Sequence, residues 1–292
     1  MMEKRFFKFA GMEIEILMPK DKFYKDEYRL SPFRVNKVVS PYVMEFQWKE
    51  ELSKPKGEHV GKNILTHIYA NSDEQIRFIR TKKDNWETAE LRVSYKGKKI
   101  DVEVNSKVYP EHISLKSTLE CMGTEHLIIE NNGFLLHSSF IKVNNEAILF
   151  TAPSETGKST QAELWRTLRD AEIINGDRAA VRWEGNNLFA EGIPFAGSSQ
   201  YCRNESIPLR AIVCLAQAPA TVIRRIQGYE AFYGIWKECS VNAWDSKDIE
   251  RLSAIVTHVV TVIPVFYLAC TPDESAIIAL EKALMESEKI EK

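Results

Sequence analysis

A phosphate-binding pattern lies near the middle of the 292-residue chain. It matches G-x-x-x-x-G-K-[ST] except that alanine replaces the first glycine, and with the threonine that follows it reads Ala152, Pro153, Ser154, Glu155, Thr156, Gly157, Lys158, Ser159 and Thr160. Gly157 lets the backbone turn its amides toward phosphate oxygens, and Lys158 brings a cation to the terminal phosphates. Ser159 offers a hydroxyl to Mg²⁺, while the following helix directs its positive end at the same anions. The pattern therefore predicts a loop that binds the phosphates of ATP together with Mg²⁺.

Two positions of this loop depart from the usual pattern. Ala152 can occupy the first position only with a negative φ, because a side chain at positive φ is strained. Glu155 places a carboxylate in a loop that should hold phosphate. We expect its side chain to point outward, and contact with Mg²⁺ or with a basic residue is the alternative. An ordinary strand–turn–helix with a capping hydroxyl residue is the structural alternative to a phosphate loop.

His137 lies in the apolar segment that precedes the loop. The pair Asn144-Asn145, between two predicted strands, tolerates the positive φ of a tight hairpin. In a symmetric hairpin Val143 pairs with Glu146, and counting back sets His137 opposite the first residue of the loop. One bulge would turn the imidazole to the other face, and a strand histidine also has a purely structural interpretation. The register predicts His137 as a catalytic residue at the mouth of the loop.

Asp177 follows the next predicted strand, which ends at Asn175. We expect the helix after the loop to cross back in the right-handed sense to a neighbouring strand. The carboxyl ends of the two strands then meet at the edge of the sheet where ligands bind. Asp177 would reach Mg²⁺, directly or through water, or accept a proton from an attacking hydroxyl, and a simple turn aspartate is the alternative. Arg178 either neutralises phosphate charge or begins the next strand.

The second half of the chain has the pattern of an α/β domain, which positions these residues. Short apolar runs bounded by turn residues predict strands, and apolar residues at helical spacing predict helices. The predicted strands are 134–143, 146–152, 172–175, 179–183, 210–216, 221–226 and 265–270, and the predicted helices are 114–130, 159–169, 229–239, 247–260 and 273–288. The phosphate loop falls between a strand and a helix of this series, as its chemistry requires.

The first hundred residues have a different pattern. Apolar and polar residues alternate in short runs, which predict half-buried antiparallel strands at 12–16, 44–48, 91–95 and 100–104. A connection containing Gly97 joins the last two runs as a hairpin. The polar segment 49–62 is typical of an exposed loop. We therefore divide the chain into a smaller β-rich domain over residues 1–112 and an α/β domain over residues 113–292, in keeping with its length.

The composition narrows the classes of function. Hydrophobic residues make up 44% and charged residues 27%, and the formal charge is −2, so no electrostatic case exists for a nucleic-acid partner. The five cysteines are widely spaced and form no C-x-x-C, which argues against a disulfide framework or a zinc site. The most apolar stretch, 255–270, is too interrupted to span a membrane, and the N-terminus lacks a signal-peptide core. We expect a cytoplasmic protein without a nucleic-acid or membrane partner.

These segments together resemble the C-terminal domain of the HPr kinase/phosphorylase family. The likeness rests on His137 before the loop, on the loop itself and on Asn175-Gly176-Asp177-Arg178 after the next strand, and it extends through 192–199 and 203–213. The family shares its nucleotide fold with phosphoenolpyruvate carboxykinase. The resemblance implies a mixed sheet with helices that carries the P-loop, binding of Mg-ATP, and phosphoryl transfer to a hydroxyl, which in HPr kinase belongs to a protein serine.

The resemblance also implies roles for individual residues. His137 and Asp177 correspond to the family's active-site histidine and to one of its two adjacent acidic residues, whereas Gly176 occupies the other acidic position. Asp177 would then either bind the metal or abstract the proton, and water, Ser159 or Glu155 would perform the other role. The pattern with which HPr kinase binds its protein partner is missing, so HPr is not the expected acceptor. HPr kinase forms hexamers, which leaves a homo-oligomer open.

Three further residues are candidates for substrate contact. Ser198 lies in a segment with two glycines and small hydroxyl residues, which suits a loop near the phosphate or the acceptor. Arg203 and Asn204 precede Pro208 and offer polar groups to a substrate. A plain surface loop explains the first equally well, and a solvated turn explains the other two.

We therefore predict an Mg-ATP-dependent kinase that phosphorylates a serine-like hydroxyl of a peptide, a protein or a small molecule. Lys158, His137 and Asp177 are the predicted catalytic residues, and Ser159 and Asp177 are the predicted metal ligands. The alternative from another class is a nucleotide-binding regulatory or scaffold module with little turnover. A carboxykinase-like lyase is disfavoured because no second set of His and Lys metal ligands is apparent.

Overall fold

The computed structural model describes residues 1–22, 28–63, 65–81 and 85–290. Its contacts divide the chain into two compact units, Met1–Thr124 and Glu125–Lys292. The division falls after the boundary drawn from the sequence, because the end of the first unit packs within that unit. The hydroxyl of Tyr95 donates to the carbonyl of Met122, and the Arg77 guanidinium lies where a side chain on Gly123 would be.

The described part of the first unit is a nine-stranded mixed sheet with one short α-helix. Its strands lie in the order β3-β1-β2-β4-β9-β8-β7-β6-β5. They are β1 (Met2–Phe9), β2 (Met12–Pro19), β3 (Arg34–Val35), β4 (Tyr42–Lys49), β5 (Glu58–Asn63), β6 (Thr66–Ala70), β7 (Gln75–Ile79), β8 (Leu91–Lys96) and β9 (Lys99–Asn105), and α1 (Leu115–Cys121) follows them. Single 3₁₀ turns occur at Lys20–Lys22, Ser31–Phe33 and Trp86–Thr88.

The four strands predicted in this unit lie within β2, β4, β8 and β9, but their pairing is only partly as predicted. β8 and β9 form the expected antiparallel hairpin. β4 is parallel to both β2 and β9, so the antiparallel prediction is wrong for these pairs. A period of two along a strand indicates which face is buried, but not whether the neighbouring strand is parallel or antiparallel. The long connections between these strands are compatible with either direction.

The predicted exposed loop 49–62 is wrong at its end, where β5 begins at Glu58. β5 pairs antiparallel with β6, with an irregularity between His59 and Gly61. It is the edge strand of the sheet, and its polar residues are typical of edges, which must resist pairing with other chains. A strand with polar residues was therefore predicted as a loop.

The second unit is a mixed sheet covered by helices. Its elements are α2 (Thr124–Glu130), β10 (Gly133–Val143), β11 (Glu146–Thr151), α3 (Lys158–Arg169), β12 (Glu172–Asn175), β13 (Arg178–Glu184), β14 (Asn187–Glu191), β15 (Ser206–Gln217), β16 (Val222–Ile226), α4 (Gly228–Trp236), β17 (Cys239–Ser240), α5 (Ser246–Val262), β18 (Val265–Cys270) and α6 (Glu274–Ile290). The order is β11-β10-β13-β14-β15-β18-β16, β12 and β17 also pair with β10, and β11 also pairs with β15.

Alternate residues of the central strands enter two separate hydrophobic clusters. Leu149 of β11 and Ile212 of β15 pack with Leu252 and Val256 of α5. Ile148, Phe150 and Val213, which point the other way, pack with Trp165 of α3 and Leu280 of α6. Both faces of these strands are therefore covered, and ligand access is left to the edge where the strands end.

Three predictions for this unit are corrected by the structure. The helix predicted at 114–130 is two helices, α1 and α2, because Gly123 has a φ of 97° between them. β12 was expected beside β11, but it pairs with β10, which separates the two strands. β14 and β17 were not predicted, since they have five and two residues and lack a long apolar pattern. None of the described helices has the length and apolar character needed to cross a membrane.

Candidate phosphate-transfer site

The β10–β11 hairpin has the register predicted from its turn. Asn144 and Asn145 have φ values of 52° and 62°, and six consecutive pairs run from Val143 with Glu146 to Ser138 with Thr151. The next residue back is His137, which therefore lies beside the start of the loop. The Thr151 hydroxyl donates to the His137 carbonyl over 2.9 Å and ties the two strands at this point.

The loop after β11 leads directly into α3. Gly157, with a φ of 112°, caps the helix, whose first residue is Lys158. Ala152 is buried and has a negative φ, as its position requires. Glu155 has a φ of 65° and is exposed, so its carboxylate is not enclosed by the loop.

Lys158 lies folded against the loop that it follows. Its Nζ donates to the Ala152 carbonyl over 2.8 Å and to the Pro153 carbonyl over 3.1 Å. Burial lowers the pKa of the Lys158 ammonium, and the carboxylates of Glu238 and Asp177 oppose that effect. The ammonium is therefore poorly solvated, which favours binding of an anion beside it.

Asn175 fixes the segment that carries Asp177. Its side chain is fully buried, and its amide nitrogen donates to the carbonyls of Ile193 and Phe195, each over 3.0 Å. Its amide oxygen accepts from the backbone amides of Asp177 and Arg178, each over 3.0 Å. One side chain thus joins the end of β12 to the start of β13 and to the loop after β14.

Four charged or titratable side chains meet beside the phosphate loop. His137 Nε2 lies 4.0 Å from Asp177 Oδ1, and His137 Nδ1 lies 3.3 Å from Glu238 Oε2. Arg178 Nε lies 3.3 Å from Asp177 Oδ2. Glu238 was not recognised in the sequence, because it follows His137 by 101 positions and belongs to no motif. Only the pairing of β17 with β10 brings it here.

Gly176 is required by its surroundings. A Cβ at this position would lie 2.2 Å from the hydroxyl oxygen and 2.6 Å from the Cβ of Ser199, far inside van der Waals contact. Position 176 therefore has no room for a side chain in this arrangement. Gly197 has a φ of 50°, and a Cβ there would lie 2.8 Å from the carboxyl carbon of Asp177.

Two cavities flank the loop. One, of about 360 Å³, is lined by His137, Lys158, Ser159, Asp177 and Ser198, among others. The other, of about 560 Å³, lies between the start of α3 and the ends of β15 and β18. Every predicted catalytic and metal-binding residue thus lines the first cavity, and the second offers space on the opposite side of the loop.

Arg203 and Asn204 lie elsewhere. Arg203 forms ion pairs with Glu172 and Glu205, and Lys142 contacts the same two carboxylates. Asn204 is exposed next to this group. The cluster is at the start of β12, whereas Asp177 follows its end, so the structure does not bring these two residues to the cavity that holds His137, while it does bring Ser198.

The residues in the first cavity suit a magnesium ion. Mg²⁺ binds oxygen ligands and is commonly held by one or two protein groups together with phosphate oxygens. The Ser159 hydroxyl and the Asp177 carboxylate both line this cavity, and Asn175 holds the backbone of Asp177 in place. A further His and Asp group, His126 with Asp245 and Asp248, already forms an internal hydrogen bond, since His126 Nδ1 lies 2.8 Å from Asp248 Oδ1.

Comparison with known proteins adds little to this geometry. No family model matches the sequence, and no curated protein matches it. Among solved structures, the HPr(Ser) kinase/phosphatase from Coxiella burnetii is similar over 54% of this chain and 91% of its own, with 12% identity and a TM-score of 0.32. These values indicate a distant structural relationship only, so the functional case depends on the residues of this chain.

Replacing Asn175 by alanine should destabilise the protein. The change removes the amide donor to the carbonyls of Ile193 and Phe195, although the Cys202 thiol still donates to Ile193. It also removes the acceptor of two backbone amides, so we expect the free energy of unfolding to fall by about 3 kcal/mol. Urea denaturation measures it. Asn186→Ala, in the exposed turn before β14, is the control and should change stability by less than about 0.5 kcal/mol. Equal effects of the two changes would contradict the role of Asn175.

Replacing Gly176 by alanine should also destabilise, by about 1–3 kcal/mol, because the new methyl group overlaps Ser199. Ser199→Gly removes the overlapping atoms, so the double variant should recover most of the loss relative to Ser199→Gly alone. A double-mutant cycle in urea measures this coupling. Strictly additive effects would show that Ser199 is not what excludes a side chain at position 176.

Proposed function

We propose that this protein is an Mg-ATP-dependent kinase that transfers a phosphoryl group to a serine-like hydroxyl of a peptide, a protein or a small molecule. The observation that carries the proposal is the meeting of Lys158, Ser159, His137 and Asp177 around one cavity at the phosphate loop. Phosphoryl transfer depends mainly on positioning and on charge neutralisation. A cation, a hydroxyl, an imidazole and a carboxylate at one sheet edge are groups that can supply both.

The phosphates would bind along 152–160, with the γ-phosphate toward the first cavity. Backbone amides of the loop and the N-terminus of α3 face an anion favourably. Lys158, now bound to two carbonyls of its own loop, would turn its ammonium to the β and γ phosphates. Exchanging neutral carbonyls for charged oxygens strengthens the hydrogen bonds of a poorly solvated ammonium.

Ser159 and Asp177 would hold Mg²⁺, which when bound neutralises charge on the transferring group. Asp177 would also orient the acceptor hydroxyl, and Arg178, whose Nε lies 3.3 Å from Asp177 Oδ2, would neutralise negative charge beside it. Ser198 is exposed at the rim of the same cavity and is a candidate contact for the acceptor. Arg203 and Asn204 would reach a substrate only if it extended toward the start of β12.

A nucleotide-binding regulatory or scaffold module is the second candidate function. Gly176 favours the regulatory module, because in a kinase the single carboxylate of this segment would have to bind the metal and also accept the proton of the acceptor. Such a module would use the same loop and Lys158 to bind nucleotide but would transfer little phosphate. With either function we expect a cytoplasmic location and no nucleic-acid or membrane partner, and a homo-oligomer stays open. The acceptor of a kinase would be a hydroxyl-bearing peptide, protein or small molecule.

Lys158→Ala should reduce phosphate transfer to background while the fold persists. Among the described residues the ammonium donates to two carbonyls of its own loop, and it would be needed at the phosphates. The measurement is transfer of label from γ-labelled ATP to components of a cell extract or to peptides encoded beside the gene. Lys247→Ala, an exposed lysine at the start of α5, is the matched control and should transfer normally. Normal transfer by Lys158→Ala would refute the assignment of the site.

Binding of Mg-ATP, measured by calorimetry, and phosphate release, measured by an assay, together separate the two candidate functions. A kinase should bind Mg-ATP and release or transfer phosphate, whereas a regulatory module should bind Mg-ATP with no turnover above background. We expect turnover in the wild type, and loss of both binding and turnover when the loop is disrupted. Binding that matches the wild type after Lys158→Ala would contradict the use of Lys158 to bind nucleotide, which both candidates share.

A further inference from the structure

Glu238 lies directly behind His137 because of the strand that follows it. Glu238 is the second residue after α4 and immediately precedes β17, which pairs with β10 through Leu136 with Cys239 and Leu135 with Ser240. The His137 amide donates to the Glu238 carbonyl over 3.0 Å. Backbone hydrogen bonds therefore hold the two residues side by side independently of their side chains.

The two side chains also meet. Glu238 Oε2 lies 3.3 Å from His137 Nδ1, and the Glu238 side chain is only 8% exposed whereas His137 is 28% exposed. The carboxylate is thus the inner partner and the imidazole the outer one, with its other nitrogen toward the cavity. Lys158 is near enough for its pKa to respond to Glu238, so the cluster contains one ammonium, two carboxylates and the Arg178 guanidinium around the imidazole.

The arrangement selects one tautomer of the neutral ring. A carboxylate only accepts hydrogen bonds, so Glu238 favours the proton on Nδ1 and leaves Nε2 with its lone pair. Nε2 faces Asp177 Oδ1 at 4.0 Å, which is too long for a hydrogen bond between them. A hydroxyl oxygen about 2.8 Å from Nε2 would donate its single proton to that lone pair, and it cannot donate to Asp177 at the same time.

We propose that Glu238 is a positioning residue that holds His137 with its proton on Nδ1, so that Nε2 accepts the proton of the acceptor hydroxyl. The proposal rests on the kinase function proposed above. The acceptor oxygen forms the new bond to the γ-phosphorus, its proton passes to Nε2, and the bond to the bridging oxygen breaks with its electron pair left on the nucleoside diphosphate. Glu238 stabilises the resulting imidazolium.

This assignment accounts for Gly176. With the proton accepted by the His137–Glu238 pair, Asp177 is free to bind metal, and a second acidic residue beside it is not needed. The second carboxylate of the site comes instead from the segment between α4 and β17, where the sequence offers no motif. The two tasks that one aspartate could not perform alone are thus divided between Asp177 and a histidine with its own carboxylate.

The tautomer of His137 tests the proposal without any activity measurement. The full chain labelled with ¹⁵N is studied by NMR about two pH units above the ordinary imidazole pKa of about 6.5. Among the six histidines, the His137 ring is assigned by its loss in His137→Gln. We expect the proton on Nδ1 in the wild type and a shift toward Nε2 in Glu238→Met, where the Asp177 carboxylate remains as the acceptor on the other side.

Glu230→Met is the matched control. Glu230 lies on α4, the helix that precedes Glu238, and pairs with Arg224 at the surface, so its replacement should leave the His137 signals unchanged. If Glu238→Met does not fold, Glu238→Gln, which preserves volume and a polar group, should give a mixture of tautomers. A wild-type ring that carries its proton on Nε2 overturns the proposal without any variant.

Kinetics gives the second readout, with water as the phosphate acceptor. Phosphate release from Mg-ATP by Glu238→Met should fall at least about tenfold in kcat, with KM for ATP changed less than about twofold. The loss is smaller than the roughly 10²–10⁴-fold that proton transfer itself contributes, because His137 is still present. If kcat and the tautomer are both unchanged in this variant, the role of Glu238 is refuted, but the proposed kinase function is not. A wild type that binds no Mg-ATP refutes the proposed function, and the NMR result then still decides whether Glu238 sets the tautomer.

Discussion

The hydrogen bonding of β10 is the constraint on which the candidate site depends. β10 pairs with four strands, β11, β12, β13 and β17. His137 lies on β10 itself, the phosphate loop follows β11, Asp177 joins β12 to β13, and Glu238 precedes β17. Because neighbouring strands lie only about 4.8 Å apart, pairing with one strand brings together groups that are distant in the sequence. The site would be lost if any of these ladders shifted by one residue, since each side chain would then turn to the other face.

The covering of the sheet explains why the polar groups gather where they do. Both faces of the central strands are occupied by apolar side chains of α3, α5 and α6, so charged groups are tolerated only at the open edge. Asn175 is an exception, fully buried but with both ends of its amide satisfied, and its interior position makes the segment around Asp177 rigid. Lys158 is the opposite case, because its ammonium is buried against neutral carbonyls and is stabilised further only when an anion arrives.

The parts of the site that were predictable are those set by local sequence. The turn at Asn144-Asn145 determined the register of His137, and the spacing of the loop residues determined where α3 begins. The partner of β12 was not predictable, because a right-handed crossover fixes the direction of the strand but allows another strand to lie between. Glu238 and Ser199 could not be found for the same reason, since the contacts of each depend on tertiary pairing. β5 was not predicted because its residues are mostly polar, and β14 was not predicted because five residues are too few to show a pattern.

The central claim is that nucleotide phosphates bind the loop 152–160. A structure of the full chain with Mg²⁺ and a non-hydrolysable ATP analogue tests it most directly. The account predicts the β and γ phosphates on the amides of the loop, with Lys158 Nζ moved from the carbonyls of Ala152 and Pro153 to phosphate oxygens, and the γ-phosphate on the side of His137 and Asp177. A nucleotide bound elsewhere, or Lys158 still on its loop carbonyls with the analogue bound, would contradict it.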